Sequence, residues 1–260
     1  MNVALTGWHH LRVAGADHVR FLQGICTINV EAMAPGAHAW GALLNPKGRV
    51  LAVIEATRGD DHVVVHSEPS LGAKVAALLD RYAVMDDVTF EPLEPAGGTA
   101  HKVWPAPGAA AAAWDAPIVM APAPAPVASD DEVEIVRVEA GIPRYGVDVD
   151  EDAFPFETPL TRWLDYEKGC YVGQEPVFRV HARGGAARAL RALVIEGDGP
   201  VAVGAIVAHA DRPEAGKVTS SVVSPAHGAI ALAYLHRSVW EPGGAVEVDG
   251  RRATIRELPL

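Results

Sequence analysis

Cysteine is nearly absent from this chain, with only Cys26 and Cys170 among 260 residues. Two thiols cannot build a secreted disulfide scaffold. They suit a reducing cytosol, so a cytoplasmic location is expected. Nor can they supply the four thiolates that commonly hold an iron–sulfur cluster, which would need other ligands or a second subunit. Long apolar runs are also missing. No stretch of about 18 apolar residues is free of charge and proline, which argues against a membrane span. The start, MNVALTGWHHLRV, lacks the basic residues and apolar run of a signal peptide. Positive charge is scarce: 22 Lys and Arg stand against 33 Asp and Glu, a net charge of −11. That sign disfavours direct nucleic-acid binding. The chain has no HExxH, no CxxC, no zinc-spaced Cys/His cluster, no P-loop and no GxGxxG, so no metal site is expected. No internal repeat is present.

What the chain does have is a globular composition, 49% hydrophobic, with length for two or three domains. A helix is expected over residues 17–23, stopped by Gly24. Residues 39–44 and 50–57 read as strands joined by Asn45-Pro46-Lys47-Gly48, the residue order a type I turn favours. Residues 62–66 read as a strand. Ser70 is a candidate cap for a helix whose apolar face is Leu71, Val75, Leu78, Leu79 and Tyr82, and residues 84–91 return as a strand. Residues 92–126 are Ala/Pro-rich and read as a semi-rigid linker or an irregular part of the middle domain, with Trp104 and Trp114 suggesting that it packs. Residues 133–138 read as a strand. Six short strands follow, over 190–195, 205–208, 217–223, 230–235, 245–248 and 251–256. Asp249-Gly250 is a two-residue hairpin signal, and the spacing suggests a small barrel or sandwich.

Three segments could carry chemistry. KGCYVGQE at residues 168–175 places Cys170 between Gly169 and Gly173, with Lys168 two residues upstream and a helix opening at 173–176. A nearby cation or helix N-terminus favours the thiolate, whereas a buried, inert cysteine is the bland alternative. RVEAGIPRYG at residues 137–146 puts Glu139 at the end of the expected strand, before a Gly/Pro turn. Its carboxylate could accept two N–H bonds from a heterocycle such as a pterin, or be an ordinary surface glutamate. Arg179, His181, Arg183, Arg188 and Arg191 form a basic run that could hold ligand carboxylates, or a solvated helix face.

Taken together, FLQGICTINV (21–30), LNPKGRVL (44–51), RVEAGIPRYGVD (137–148), KGCYVGQE (168–175) and VTSSVVSP (218–225) give a chain that resembles the folate-binding YgfZ family, relatives of the glycine-cleavage T-protein, an aminomethyltransferase. The resemblance implies an α+β, three-domain, ring-like fold. A discontinuous folate-binding domain would comprise residues 1–56 and 129–186, a ferredoxin-like middle domain residues 57–128, and a C-terminal β-barrel residues 187–260. It implies tetrahydrofolate or a one-carbon derivative as cofactor. Glu139, Arg144, Tyr145, Tyr171, Gln174, Glu175, Asn45, Lys47 and Arg49 would bind it, and Cys170 and Lys168 would act at its reactive end. It also implies iron–sulfur cluster carriers or client proteins as partners, with an influence on tRNA modification. Two departures stand out. The T-protein has an aspartate near the entry of its central domain, whereas residues 66–70 offer no clear equivalent, which weakens aminomethyl transfer. Thr27-Ile28-Asn29 stands where relatives often have Asp after the threonine.

Three functions compete on these grounds. The first is a tetrahydrofolate-binding accessory protein for assembly or repair of iron–sulfur proteins, not a conventional enzyme. The second is a folate-dependent transferase of aminomethyl, methyl or formaldehyde units. The third is a non-catalytic scaffold for cluster-carrier proteins. Turnover of a one-carbon folate separates the first two, and partner binding that survives loss of Glu139 and Cys170 marks the third.

Overall fold

The structure, a computed structural model, describes residues 1–183 and 185–260. The first part of the chain runs β1 (Asn2–Leu5), β2 (His9–Ala14), α1 (His18–Ile25), β3 (His38–Leu44), β4 (Val50–Arg58), β5 (His62–Ser67), α2 (Gly72–Tyr82) and β6 (Thr89–Pro92). Five of these strands form one antiparallel sheet in the order β3-β4-β5-β2-β6. Without the edge strand β3, the order of β2, β4, β5 and β6 is fourth-first-third-second, and a helix follows the first and the third. That is the ferredoxin-like arrangement. Phe21 and Leu22 of α1 and Val75 and Leu79 of α2 pack on Ala52, Ile54, Val63 and Val65, covering one face.

The ferredoxin-like unit therefore spans residues 9–92. The boundary expected at residue 57 falls inside β4, and β4 forms a hairpin with β5 that carries the sheet across it. The β-α-β pattern of 62–91 is local and readable, but the strands it pairs with lie upstream. Smaller differences share that region. The N-cap of α2 is Leu71, with no side-chain cap from Ser70, and α1 continues through Gly24 to Ile25. The expected strand at 84–91 shortens to β6, leaving Val84 and Met85 exposed.

β1 precedes this sheet and β7 (Ala100–Val103) follows it, and the two pair antiparallel. The ferredoxin-like unit is thus inserted in a second unit that the chain leaves and re-enters. The Ala/Pro-rich stretch is part of that unit's core. Trp114, in a short 3-10 helix (Ala110–Asp115), is fully buried. Its Nε1 donates to the Ala140 carbonyl at 2.9 Å, and its carbonyl accepts from Trp40 Nε1 at 2.9 Å.

Residues 130–140 form a helix, α3 (Asp130–Ala140), where the sequence reading placed a strand at 133–138. Val133, Ile135, Val136 and Val138 are β-branched and favour a strand locally. The ends decide otherwise. The Ser129 hydroxyl accepts from the Glu132 N–H, and the Glu132 carboxylate accepts from the Ser129 N–H, a capping box. Asp130 and Asp131 complement the positive helix end, and Gly141, at φ 73°, closes the other.

α4 (Gln174–Ala182) starts at Gly173, as the KGCYVGQE segment suggested. Beyond it, β8 (Arg188–Ile195), β9 (Ile206–His209), β10 (Arg212–Ser224), β11 (Gly228–His236), β12 (Ala245–Val248) and β13 (Arg251–Arg256) close a barrel in the order β10-β11-β8-β13-β12-β9. Asp249 and Gly250 take positive φ, 50° and 72°, as a type I′ hairpin turn requires. Among the described residues, no helix is long and apolar enough to cross a membrane.

Candidate functional site

The face of the five-stranded sheet opposite α1 and α2 meets the β1–β7 pair and α3. At this junction lies a cavity of about 350 Å³, within the range of small-molecule sites. Trp8, Trp40 of β3 and Trp104 contribute aromatic surface. Lys102 of β7, Arg137 of α3, Glu68 and Arg144 contribute charge. Each residue reaches the cavity for a backbone reason. Trp40 projects on the same sheet face as Ala42 and Leu44. Lys102 follows the alternation of β7. Arg144 and Tyr145 sit on the turn released by Gly141 at the end of α3.

The charged groups differ in how far they are already committed. Arg137 is buried and saturated. It donates to Asp148 Oδ2 at 2.5 Å, Glu134 Oε1 at 2.6 Å, Ser220 Oγ at 2.6 Å and the Ile142 carbonyl at 2.8 Å. It therefore ties α3 to the barrel. Arg144 pairs with Glu134 at 2.8 Å and remains partly exposed. Lys102 is fully buried, and its ammonium donates to Glu55 Oε2 and lies 4.3 Å from the Trp40 ring centre. Burial pushes its pKa down, against the pull of Glu55. Glu68 is freer. No salt bridge holds it among the described residues, and burial pushes its carboxyl above the usual range, against the charges of Arg144 and Arg137. The Tyr145 hydroxyl accepts from Lys74 Nζ at 2.9 Å.

Of the residues singled out in the sequence, Arg144 and Tyr145 line this cavity. Glu139 does not. It is fully buried on the last turn of α3. Its Oε2 accepts from the Gly108 N–H at 2.7 Å and its Oε1 from the Ser224 hydroxyl at 2.5 Å. In a strand, residues 137 and 139 would share a face. In a helix they point about 200° apart, and it is Arg137 that lines the cavity.

The remaining predicted residues gather elsewhere. Lys168 is buried, and its Nζ donates to the carbonyls of Cys26, at 2.7 Å, and Ile28, at 2.5 Å. In return, Gln23 Nε2 donates to the Lys168 carbonyl at 2.7 Å. The FLQGICTINV and KGCYVGQE segments are thereby stapled together, with the lysine's donors directed at carbonyls. Burial pushes the Lys168 pKa down. Cys170 is exposed, while Cys26 is buried with its thiol pKa pushed up by that burial. Tyr171 is buried, and burial pushes its phenol up to about 12. Gln174 opens α4, and the exposed Glu175 pairs with Arg179 at 2.5 Å.

The Asn45–Arg49 turn seats on this same helix start. Asn45 Oδ1 accepts from the N–H groups of Lys47, at 2.9 Å, and Arg49, at 3.1 Å. Lys47 is exposed, and the Arg49 guanidinium stacks 3.8 Å from the Phe154 ring centre. A Cβ on Gly173 would fall 2.4 Å from the Asn45 carbonyl oxygen, so that approach requires glycine. The FLQGICTINV, KGCYVGQE and LNPKGRVL segments thus form one packed cluster, and the cavity, which takes Arg137, Arg144 and Tyr145 from the RVEAGIPRYGVD segment, lies in another place. Sequence reasoning missed Trp8, Trp40, Lys102 and Glu68. For two others a signal existed: Arg137 is two residues from Glu139 in the same motif, and Trp104 was noted only as packing.

Comparison with known proteins agrees with this architecture. Residues 188–259, the barrel, match the glycine cleavage T-protein C-terminal barrel domain. The whole fold superposes on the crystal structure of the glycine cleavage system aminomethyltransferase T from Bartonella henselae. The TM-score is 0.84 at 17% identity, covering 99% of this chain and 85% of that one. The sequence is 30% identical over 107 residues to the tRNA-modifying protein YgfZ of Hamiltonella defensa, covering 39% of this chain and 32% of the relative. This chain is similar in part of its sequence to YgfZ and shares the fold of the T-protein. The chain is also 37% identical over 128 residues to dimethylsulfoniopropionate demethylase DmdA of Ruegeria pomeroyi, with 47% of this chain and 35% of the relative covered. An uncharacterized protein of Haemophilus influenzae is 25% identical over 236 residues, with 85% and 84% covered. The match spans about a third of the length of the demethylase and of the YgfZ relative.

Proposed function

We propose that this protein binds a reduced folate in the tryptophan-lined cavity and serves the assembly or repair of iron–sulfur proteins in the cytoplasm. The observation that carries the folate part is the combination of three indoles with one uncommitted carboxylate, Glu68, in a cavity of about 350 Å³. Flat heterocycles stack on indoles. A carboxylate with free lone pairs accepts the paired N–H groups of a 2-amino-4-oxo ring. The role that the family resemblance gave to Glu139 therefore passes to Glu68. Arg144, half-exposed at the same cavity, suits the carboxylates of a folate tail. A bound reduced folate would supply a carrier for one-carbon units, and the residues here supply its binding and orientation.

Cys170 is placed by this reading as an exposed thiol outside the cavity wall, available to a partner protein. Cluster carriers and client proteins are the partners that the resemblance to YgfZ suggests, and influence on tRNA modification would be indirect. A second reading, a one-carbon transferase, draws on the similarity to the demethylase and the T-protein. Anaerobic calorimetry with tetrahydrofolate tests the folate part, and absence of binding refutes it. Complementation of a deletion strain with Cys170→Ala tests the thiol part, and full recovery of iron–sulfur enzyme activity refutes it. Turnover of 5,10-methylene-tetrahydrofolate with an amine or thiol acceptor would establish the second reading instead.

A further inference from the structure

The cavity wall holds donors that the protein does not use. An ammonium has three N–H donors. Among the described residues, Lys102 gives one to Glu55 Oε2 and rests against the Trp40 ring, and no other acceptor is within reach. The Nε1–H of Trp104, in the same wall, is buried and also lacks an acceptor among the described residues. A buried polar group left unpaired is costly, and a buried ammonium more so, unless something that enters the cavity accepts its proton. Glu68 offers the opposite character, a carboxylate with lone pairs to spare. The wall is therefore donor-rich on the Lys102 and Trp104 side and acceptor-rich at Glu68.

We infer that Lys102 is a specificity-determining residue that selects a heterocycle bearing an oxo group and rejects the same ring bearing an amino group there. This rests on the proposed folate reading and names the group that decides which pteridine is taken. A ring oxygen accepts from the ammonium, whereas an amino group brings a second donor against it and leaves both unpaired. Glu55 holds Lys102 in place. Its Oε2 takes the ammonium and lies 2.9 Å from His38 Nε2, so the lysine is anchored from behind. Sites built to hydrogen-bond one polar group discriminate strongly against an analogue that cannot.

Folic acid and aminopterin differ in that substituent and in the ring N3–H that accompanies the oxo form, so a variant lacking Lys102 isolates the lysine's share. Calorimetry with both is run at pH 8, where the free diamino ring is neutral. The wild-type protein is expected to bind folic acid at least about tenfold more tightly. Lys102→Met with Glu55→Leu removes both charges together, which avoids an unpaired buried carboxylate, and should bring the two affinities within about twofold. Equal binding of the two ligands to wild type, or a preference that survives in the Met/Leu variant, overturns the inference while leaving folate binding intact. Binding of neither ligand, nor of tetrahydrofolate, overturns the folate reading and the inference with it.

Discussion

Replacing Lys168 with Met separates two roles that the sequence alone could not separate. A lysine two residues before a cysteine invites the view that it activates the thiol. The structure instead spends the ammonium on the carbonyls of Cys26 and Ile28, at 2.7 and 2.5 Å. Charged hydrogen bonds are worth about 1.5–3 kcal/mol each. Against that stands the cost of burying the ammonium, visible in the lowered pKa. Methionine fills a similar channel without charge but leaves two carbonyls unpaired. The net loss should be about 2 kcal/mol. With a urea slope of about 2 kcal/mol/M, the unfolding midpoint should fall by about 1 M. Cys170 should alkylate with iodoacetamide at a rate within about twofold of wild type, because the ammonium spends its donors on carbonyls. Buried Cys26 does not confuse the assay while the protein is folded. An unchanged midpoint together with a tenfold slower alkylation would refute the staple and restore the activating role.

The buried pair Lys102–Glu55 should be sensitive to removal of one member. Lys102→Met alone should cost about 3–5 kcal/mol by leaving a buried carboxylate unpaired, while adding Glu55→Leu should recover most of it in urea unfolding. His10 and His66 face each other at 2.8 Å, Nδ1 to Nδ1. Burial holds both below the usual histidine pKa, and His66 well below it. The unfolded chain therefore binds more protons just below pH 6.5, so stability is complete above that pH and declines as pH falls below it. His66→Gln should flatten the decline in pH-dependent unfolding. Ser129→Ala, which breaks the capping box of α3, should cost about 1 kcal/mol by the same unfolding assay.

The barrel was legible because its strands are short and regularly spaced and its hairpins are local, as at Asp249-Gly250. The ferredoxin-like unit was legible as a pattern and illegible in extent, since β2 pairs with β5 and β6 across long stretches of chain. α3 was misread because β-branched residues outweighed the cap at Ser129 and Glu132, although that cap stands in the sequence. The misreading also bears on orientation: the helix turns Glu139 towards Gly108 and Ser224 and Arg137 towards the cavity. The cysteine motif and the NPKGR turn pack together through Gly48 and Gly173, a contact that no local pattern announces. The cavity itself draws Trp8, Trp40, Glu68 and Lys102 from four separate segments. No local periodicity brings such residues together; only the tertiary pairing of β1 with β7 and of Glu55 with Lys102 does.

The most direct test titrates tetrahydrofolate anaerobically into the wild-type protein, Glu68→Gln and Cys170→Ser. Saturable binding to wild type, weakened about tenfold in Glu68→Gln and unchanged in Cys170→Ser, is the predicted result. Full affinity in Glu68→Gln, or loss of binding in Cys170→Ser, would contradict a folate site in the tryptophan-lined cavity.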